Sequence, residues 1–379
     1  MNVDASRRPR KAGRGLACTV AAMLLAALAG CRDAVPPPQT GYAGLGQAAG
    51  DYLPVERGRE LHFPADHGAH DGYRIEWWYI TANLTDETGR DWGVQWTLFR
   101  TALRPGPEQP GWQSPNAWMA HAAVTGPDGH RHAERLARGG IGQAGVTAEP
   151  FAAWIDDWRL DGQPGLGLDR LALHAAARPP EGGVPGFSYD LALQAQGPLI
   201  LHGDAGYSEK SGQGQASYYY SQPFYEVQGE IAFDGQRHTV TGRAWLDREW
   251  SSQPLSADQQ GWDWFSLHLA DGAKLMVFQV RHDDGRHYRA GTWIAPGGGP
   301  GVALREDQIA LEPLASARQV TGREVPVAWR VQVPEHAVDA RVDAVQPQAW
   351  MGGTFPYWEG PVRIDGGTGG RGYLEMTGY

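Results

Sequence analysis

The clearest signal along the chain is a period of two. From Glu76 to Leu84, Trp78, Ile80, Ala82 and Leu84 alternate with Trp77, Tyr79, Thr81 and Asn83, giving one apolar face and one aromatic-polar face. Asp86-Glu87-Thr88-Gly89 supplies turn residues, after which Trp92, Val94, Trp96 and Leu98 alternate with Gly93, Gln95, Thr97 and Phe99. Side chains two apart share a face of a strand, so this spacing predicts a β-hairpin. A second stretch repeats the design: Trp262 to Leu269, the turn Ala270-Asp271-Gly272, then Leu275 to Arg281. Setting Leu84 against Leu269 aligns Trp77 with Trp262, Tyr79 with Trp264, Thr81 with Ser266 and Asn83 with His268. Such self-similarity predicts two related β domains, one in each half. No segment reads as a long amphipathic helix, and 52 Gly with 27 Pro punctuate many short strands. Polar-aromatic alternation on one face predicts closed barrels or sandwiches with interiors that can be filled.

Ahead of these strands the pattern changes. Arg7, Arg8, Arg10, Lys11 and Arg14 precede an apolar run from Leu16 to Ala29, too short to span a bilayer comfortably. Residues 1–30 therefore read as an export signal outside the fold. The run ends in Leu28-Ala29-Gly30-Cys31, which resembles the lipobox of bacterial lipoprotein precursors. The alternative is an ordinary small-residue cleavage site; the position of Cys31 directly after the apolar run favours lipidation there, and hence attachment to a lipid bilayer. Residues 31–54, with Pro36-Pro37-Pro38, then read as the lipidated Cys and a flexible tether. Arg32, in place of an aspartate at the second position, implies by the same resemblance the bacterial cell envelope, at the periplasmic face of the outer membrane.

Composition sharpens this picture. The formal net charge is −10, and five basic residues against one acidic in the signal leave the remainder near −14. That balance argues against nucleic acid or anionic lipid head groups as partners. Cys18 falls inside the signal, so the exported part has no second Cys for an internal disulfide and must be held by its core. All 16 Trp lie beyond Cys31.

Several longer motifs follow in order. Phe63-Pro64, Asp66-His67-Gly68 and His70 precede Glu76-Trp77-Trp78-Tyr79; Gly206-Tyr207-Ser208 leads into Ala216-Ser217-Tyr218-Tyr219-Tyr220-Ser221. Then come Gly242-Arg243-Ala244-Trp245-Leu246-Asp247-Arg248-Glu249-Trp250, Gly261-Trp262-Asp263-Trp264, Tyr357-Trp358-Glu359-Gly360 and Gly372-Tyr373-Leu374-Glu375-Met376-Thr377-Gly378-Tyr379. The series resembles the AttH-like family, secreted relatives of carotenoid 1,2-hydratase, over residues 55–379. That resemblance implies an all-β chain of two lipocalin-like antiparallel β-barrels packed side by side, expected over residues 55–224 and 225–379. It implies either hydration or hydrolysis of an apolar or amphipathic small molecule, or a non-catalytic role beside an ABC-type export system. No cofactor is expected. The hydratase pattern carries an Asp-His pair where this chain has Asp247-Arg248. An arginine stays charged near neutral pH and cannot shuttle protons, so the departure speaks against carotenoid hydration itself.

The strongest candidate chemistry is the cluster Asp247, Glu249, Trp250, Trp262, Asp263 and Trp264. Acid-catalysed hydration needs a protonated carboxyl, a means of stabilising the cation and a held water. Carboxylates in a tryptophan-walled pocket supply the first two, since desolvation raises a carboxyl pKa and indole faces attract positive charge. Asp247 and Glu249 are two apart and share a strand face. The competing reading pairs them with Arg243 and Arg248 or makes them loop ties. Trp77, Tyr79, Tyr207, Tyr218 and His268 are further candidates for ligand contact. His121, on the apolar strand around Trp118 to Val124, reads as a satisfied core histidine, or as a general base if it faces the pocket. His62, Asp66, His67 and His70 lie close together but match no standard zinc spacing, so no metal is assigned.

Overall fold

The computed structural model describes residues 1, 51–178, 186–253, 256, 258–367 and 369–379. The expected signal beyond Met1, Cys31 and most of the 31–54 tether lie outside the described residues. What is described is all-β, with only short 3-10 turns as helix. Two antiparallel, lipocalin-like sheets follow one another along the chain: thirteen strands, β1–β13, within residues 75–251, and ten, β14–β23, within 259–376.

The two hairpins form as the alternation requires. β1 (Ile75–Asp86) pairs with β2 (Asp91–Ala102), and Asp86 Oδ1 closes the turn by accepting from the Thr88 and Arg90 amides at 2.9 and 3.0 Å. Gly89 there has φ +83°, a left-handed conformation that a side chain disfavours. β14 (Gln259–Leu269) pairs with β15 (Lys274–His282) through a turn in which Asp271 Oδ1 accepts from the Ala273 amide at 2.9 Å.

Each sheet then wraps its first strand in the same way. β1 lies between β2 and the last strand of its sheet, β13 (Gln236–Ser251); β14 lies between β15 and the last strand of its own, β23 (Gly370–Met376). The internal repeat therefore extends beyond the hairpins. Tyr79 stands opposite Asp247 and Trp264 opposite Glu375, so these two carboxyls occupy equivalent places. The change of sheet falls between Ser251 and Gln259, later than the expected division at residues 224/225. β12 (Ala216–Phe233) runs through that point and, with β13, completes the first sheet.

The alternation also sorts the cores. Trp78, Ile80, Ala82 and Leu84 pack inside the first sheet, and Phe265, Leu267 and Leu269 inside the second. The opposite faces meet each other: Tyr79, Tyr219, Trp245, Trp264, Phe278 and Tyr373 form a separate apolar cluster between the sheets. The equivalent residues Tyr79 and Trp264 touch edge to face there, with ring centroids 5.4 Å apart.

Candidate active site between the sheets

A cleft opens along this inter-sheet seam. Trp77, Tyr79, Phe99, Tyr219, Trp262 and Trp264 make its aromatic wall, and Asp247, Glu249 and Glu375 its carboxyl groups. The predicted residues Trp77, Tyr79, Asp247, Glu249, Trp262 and Trp264 thus converge on one cavity.

Asp247 sits on β13, fully surrounded. Its Oδ1 accepts from Ser221 Oγ and, at 2.7 Å, from Trp245 Nε1, while Oδ2 accepts from Tyr219 O–H at 2.8 Å. Trp264 Nε1 in turn donates to the Tyr219 oxygen at 3.1 Å, so a strand of the second sheet helps orient an acid on the first. Ser221 Oγ also lies 2.6 Å from His202 Nε2, a histidine that burial holds neutral. Burial outweighs the three donors and raises the Asp247 carboxyl to about 7. Neither Arg243 nor Arg248 is among its partners.

Glu375 is the counterpart. Its Oε1 accepts from Trp262 Nε1 at 2.7 Å, and burial pushes this carboxyl too up to about 7. Beside it Glu359, held protonated by burial and the neighbouring Glu375 charge, is hydrogen-bonded to Tyr79 O–H. Glu249 has a different environment: it pairs with Lys210 Nζ at 2.9 Å and receives a hydrogen bond from Ser217. Lys210 lies over the rings of Tyr219 and Phe278, each 4.6 Å from the ammonium.

Six predicted site residues are elsewhere. Asp263 is buried off the cleft wall, its Oδ2 accepting from Gln279 Nε2 at 2.7 Å and its Oδ1 from Tyr379 O–H at 3.0 Å. Trp250 is one residue past Glu249, so its side chain enters the first sheet's core, stacked on His70 at 4.0 Å. Tyr218 likewise faces inward, its hydroxyl bound to the Glu56 backbone at 2.8 and 3.0 Å. The tyrosine that reaches the cleft is its neighbour Tyr219. Tyr207 lines a second, more polar cavity with Arg57, Asp204 and Glu209. His268 ties the sheets together through Nε2 and the Pro223 carbonyl at 2.9 Å, and burial lowers it to about 4, leaving it neutral. His121 is taken on both nitrogens, by Tyr357 O–H at 2.9 Å and Glu134 at 3.1 Å, and is not on the cleft wall. The histidine loop is committed as well: His67 meets Tyr220 O–H at 2.7 Å, and His70 bridges Asp66 and Glu76 at 2.9 and 3.0 Å.

Tyr219, Ser221, Lys210, Glu359 and Glu375 were missed from the sequence. For Glu375 a signal existed: Gly370-Arg371-Gly372-Tyr373-Leu374-Glu375 repeats Gly242-Arg243-Ala244-Trp245-Leu246-Asp247.

The two raised carboxyls predict a pH dependence of stability. Each holds its proton to higher pH folded than unfolded, so the folded chain binds more protons between about pH 4 and 7. Their contribution is therefore present below pH 4 and is lost as pH rises through 7. The buried neutral histidines act with the opposite sign and are common to both proteins, so the expected signal is a difference. Urea unfolding free energy of the parent relative to Asp247→Asn should fall from pH 5 to pH 8, and an equal change in both proteins would contradict the assignment.

The AttH-like family model matches residues 54–379. Among solved structures, a Nitrosomonas europaea protein assigned to AttH is 34% identical, with a TM-score of 0.74, covering 86% of this chain and 99% of its own. Kievitone hydratase from Nectria haematococca shares the fold at 13% identity, with a TM-score of 0.62, covering 86% of this chain and 96% of its own. No curated protein matches the sequence.

Proposed function

Because the chain belongs to the AttH-like family, we propose that its inter-sheet cleft binds an apolar or amphipathic unsaturated small molecule and adds water to it by carboxyl acid catalysis. One observation carries this reading: Asp247, a fully buried carboxyl poised near pH 7, stands on the wall of an aromatic cleft. Water addition is the first reaction to test because it is the reaction in the name of the kievitone hydratase whose fold the chain shares.

In this mechanism protonated Asp247 gives its proton to one carbon of a C=C bond, the π pair forming the new C–H bond. The cation left on the other carbon faces the indoles of Trp77, Trp262 and Trp264, whose quadrupoles stabilise it. Water attacks that carbon while ionised Glu375 takes the water's proton. One H and one OH have then been added, and proton exchange between the two carboxyls restores the starting state. Arg248 does not enter these steps. Its guanidinium points away from Asp247 and pairs with Glu76. The reading keeps the Cys31 anchor and an envelope location, which rest on the N-terminal sequence.

The test is incubation with unsaturated terpenoids, polyenes and prenylated phenols in ¹⁸O-water. A product heavier by one labelled water is expected from at least one class. Binding without turnover across the whole panel would overturn hydration and favour a carrier working beside an exporter.

A further inference from the structure

Four large apolar side chains stand out of the surface near one end of the first sheet. Leu53, Leu103, Trp112 and Ile141 are 53, 60, 80 and 54% exposed. They sit on three segments bound to one another. Tyr52 O–H donates to the Ala102 carbonyl at 2.6 Å, placing Leu53 beside the end of β2. The Leu103 amide donates to the Pro115 carbonyl at 2.7 Å, and the Gly111 amide to the Gly140 carbonyl at 2.7 Å, so the loops bearing Trp112 and Ile141 join the same surface. The Glu108 amide, donating to Asp71 at 3.1 Å, closes the circuit beside Gly72, against which Leu53 packs.

Trp112 is displayed by a pinned backbone. Its turn, Gly111–Gln113, is held by Arg104, which reaches the Gln113 carbonyl, and by Arg138, which reaches the Ser114 carbonyl at 3.2 Å. A tryptophan presented between arginines suits a membrane interface, where the ring sits at headgroup depth and the guanidiniums meet phosphates. Two further observations say what covers this surface. The chain that follows Cys31 enters the described body at Asp51, two residues before Leu53. The cleft also opens alongside: Ile75 and Thr101 line it, and Leu103 lies two residues beyond Thr101, within about 7 Å along the backbone.

We propose that Leu53, Leu103, Trp112 and Ile141 form a surface that docks on a phospholipid bilayer and turns the mouth of the cleft toward it. The cleft's apolar ligand then passes from the bilayer into the site without crossing water. This step rests on the reading of the cleft as a site for an apolar molecule. Docking itself does not require the lipid anchor, since the four side chains supply their own apolar area. A tether at Cys31 raises the local concentration of that surface at the membrane.

The test uses the chain from Arg32, which lacks the lipidated Cys and keeps both sheets, with sucrose-loaded zwitterionic vesicles of phosphatidylethanolamine and phosphatidylcholine, so that the chain's negative charge does not oppose binding. Measurable cosedimentation is expected, and Leu103→Ala/Trp112→Ala should weaken it at least tenfold without changing the thermal midpoint. Val302→Ala/Val320→Ala, at side chains 51 and 86% exposed elsewhere, should leave it unchanged. Absence of vesicle binding, or equal loss in both double variants, would overturn the proposal; the former is also the result expected of a protein-binding surface. Asp247→Asn should bind vesicles like the unaltered chain. Failure of docking is thereby read separately from failure of hydration, and incorporation of labelled palmitate at Cys31 separately from both.

Discussion

Asp247→Asn should lower hydration turnover by about 10²- to 10⁴-fold while leaving ligand binding intact. The amide cannot give up a proton to carbon, yet it keeps the size and shape of the side chain against Trp245 and Tyr219. The loss should not be one of folding. Above pH 7 the unaltered protein must hold a charged carboxylate in a buried place, and the amide removes that cost. At pH 8 the variant should therefore be at least as resistant to urea as its parent. Turnover in the parent should follow a bell-shaped profile centred near pH 7, because one carboxyl of the pair must be protonated and the other ionised. Single-turnover rates across pH, with ligand affinity from fluorescence quenching, check both points. A variant retaining full turnover would move the acid to Glu375.

The parts of this site legible in the sequence are those fixed by local alternation. Trp77 and Tyr79 oppose Trp78 and Ile80 on one strand, and that parity alone assigned them to a different face from the core. The same parity separates Asp247 and Glu249 from Arg248 and Trp250. Applied strictly, it excludes Trp250 from the cleft, since Trp250 shares the inward face of β13 with Arg248. The choice among Tyr218, Tyr219 and Tyr220 was not legible in this way. It depends on the register of β12 against β13, where Tyr219 stands opposite Glu249 and Ser221 opposite Asp247, and on the irregularity between Gln222 and Tyr225. Glu375 depends on a longer-range fact still. The repeat of Gly242 to Asp247 in Gly370 to Glu375 marks its place, but it reaches the cleft only because the last strand of the chain returns beside β14, with Glu359 opposite it on the neighbouring strand. The fold class was easier, since an aromatic face opposite an apolar one has to be covered, and a second copy of the same hairpin was available to cover it.

An ion cluster inside the first sheet gives the largest expected effect on stability. Glu76→Gln should cost about 3–5 kcal/mol. Glu76 is fully enclosed, with Arg100 on one carboxylate oxygen and Arg248 on the other, and with the His70 amide donating to it at 2.9 Å. Burial alone would raise its pKa, but the two guanidiniums win and hold it well below the ordinary carboxylate range. An amide leaves both arginines buried without a counter-charge, Arg248 with its guanidinium 3.8 Å above the Trp78 ring. Some of the loss should return in Glu76→Gln/Arg248→Met, which removes one orphaned charge and fills its space, giving a positive coupling in a double-mutant cycle. The sign with pH is opposite to that of Asp247: the contribution of Glu76 is present above the unfolded carboxylate pKa near 4.5 and is lost as the pH falls through the depressed folded value. Urea titrations of the three proteins at pH 7 decide it, and a loss below about 1 kcal/mol would show that water reaches the cluster and screens it. The consequence extends to the cleft because the strands are shared. Glu76 alternates with Trp77 on β1, and Arg248 stands between Asp247 and Glu249 on β13. The ion cluster inside the sheet thereby fixes the strands whose outer faces carry the proposed acid and its aromatic wall.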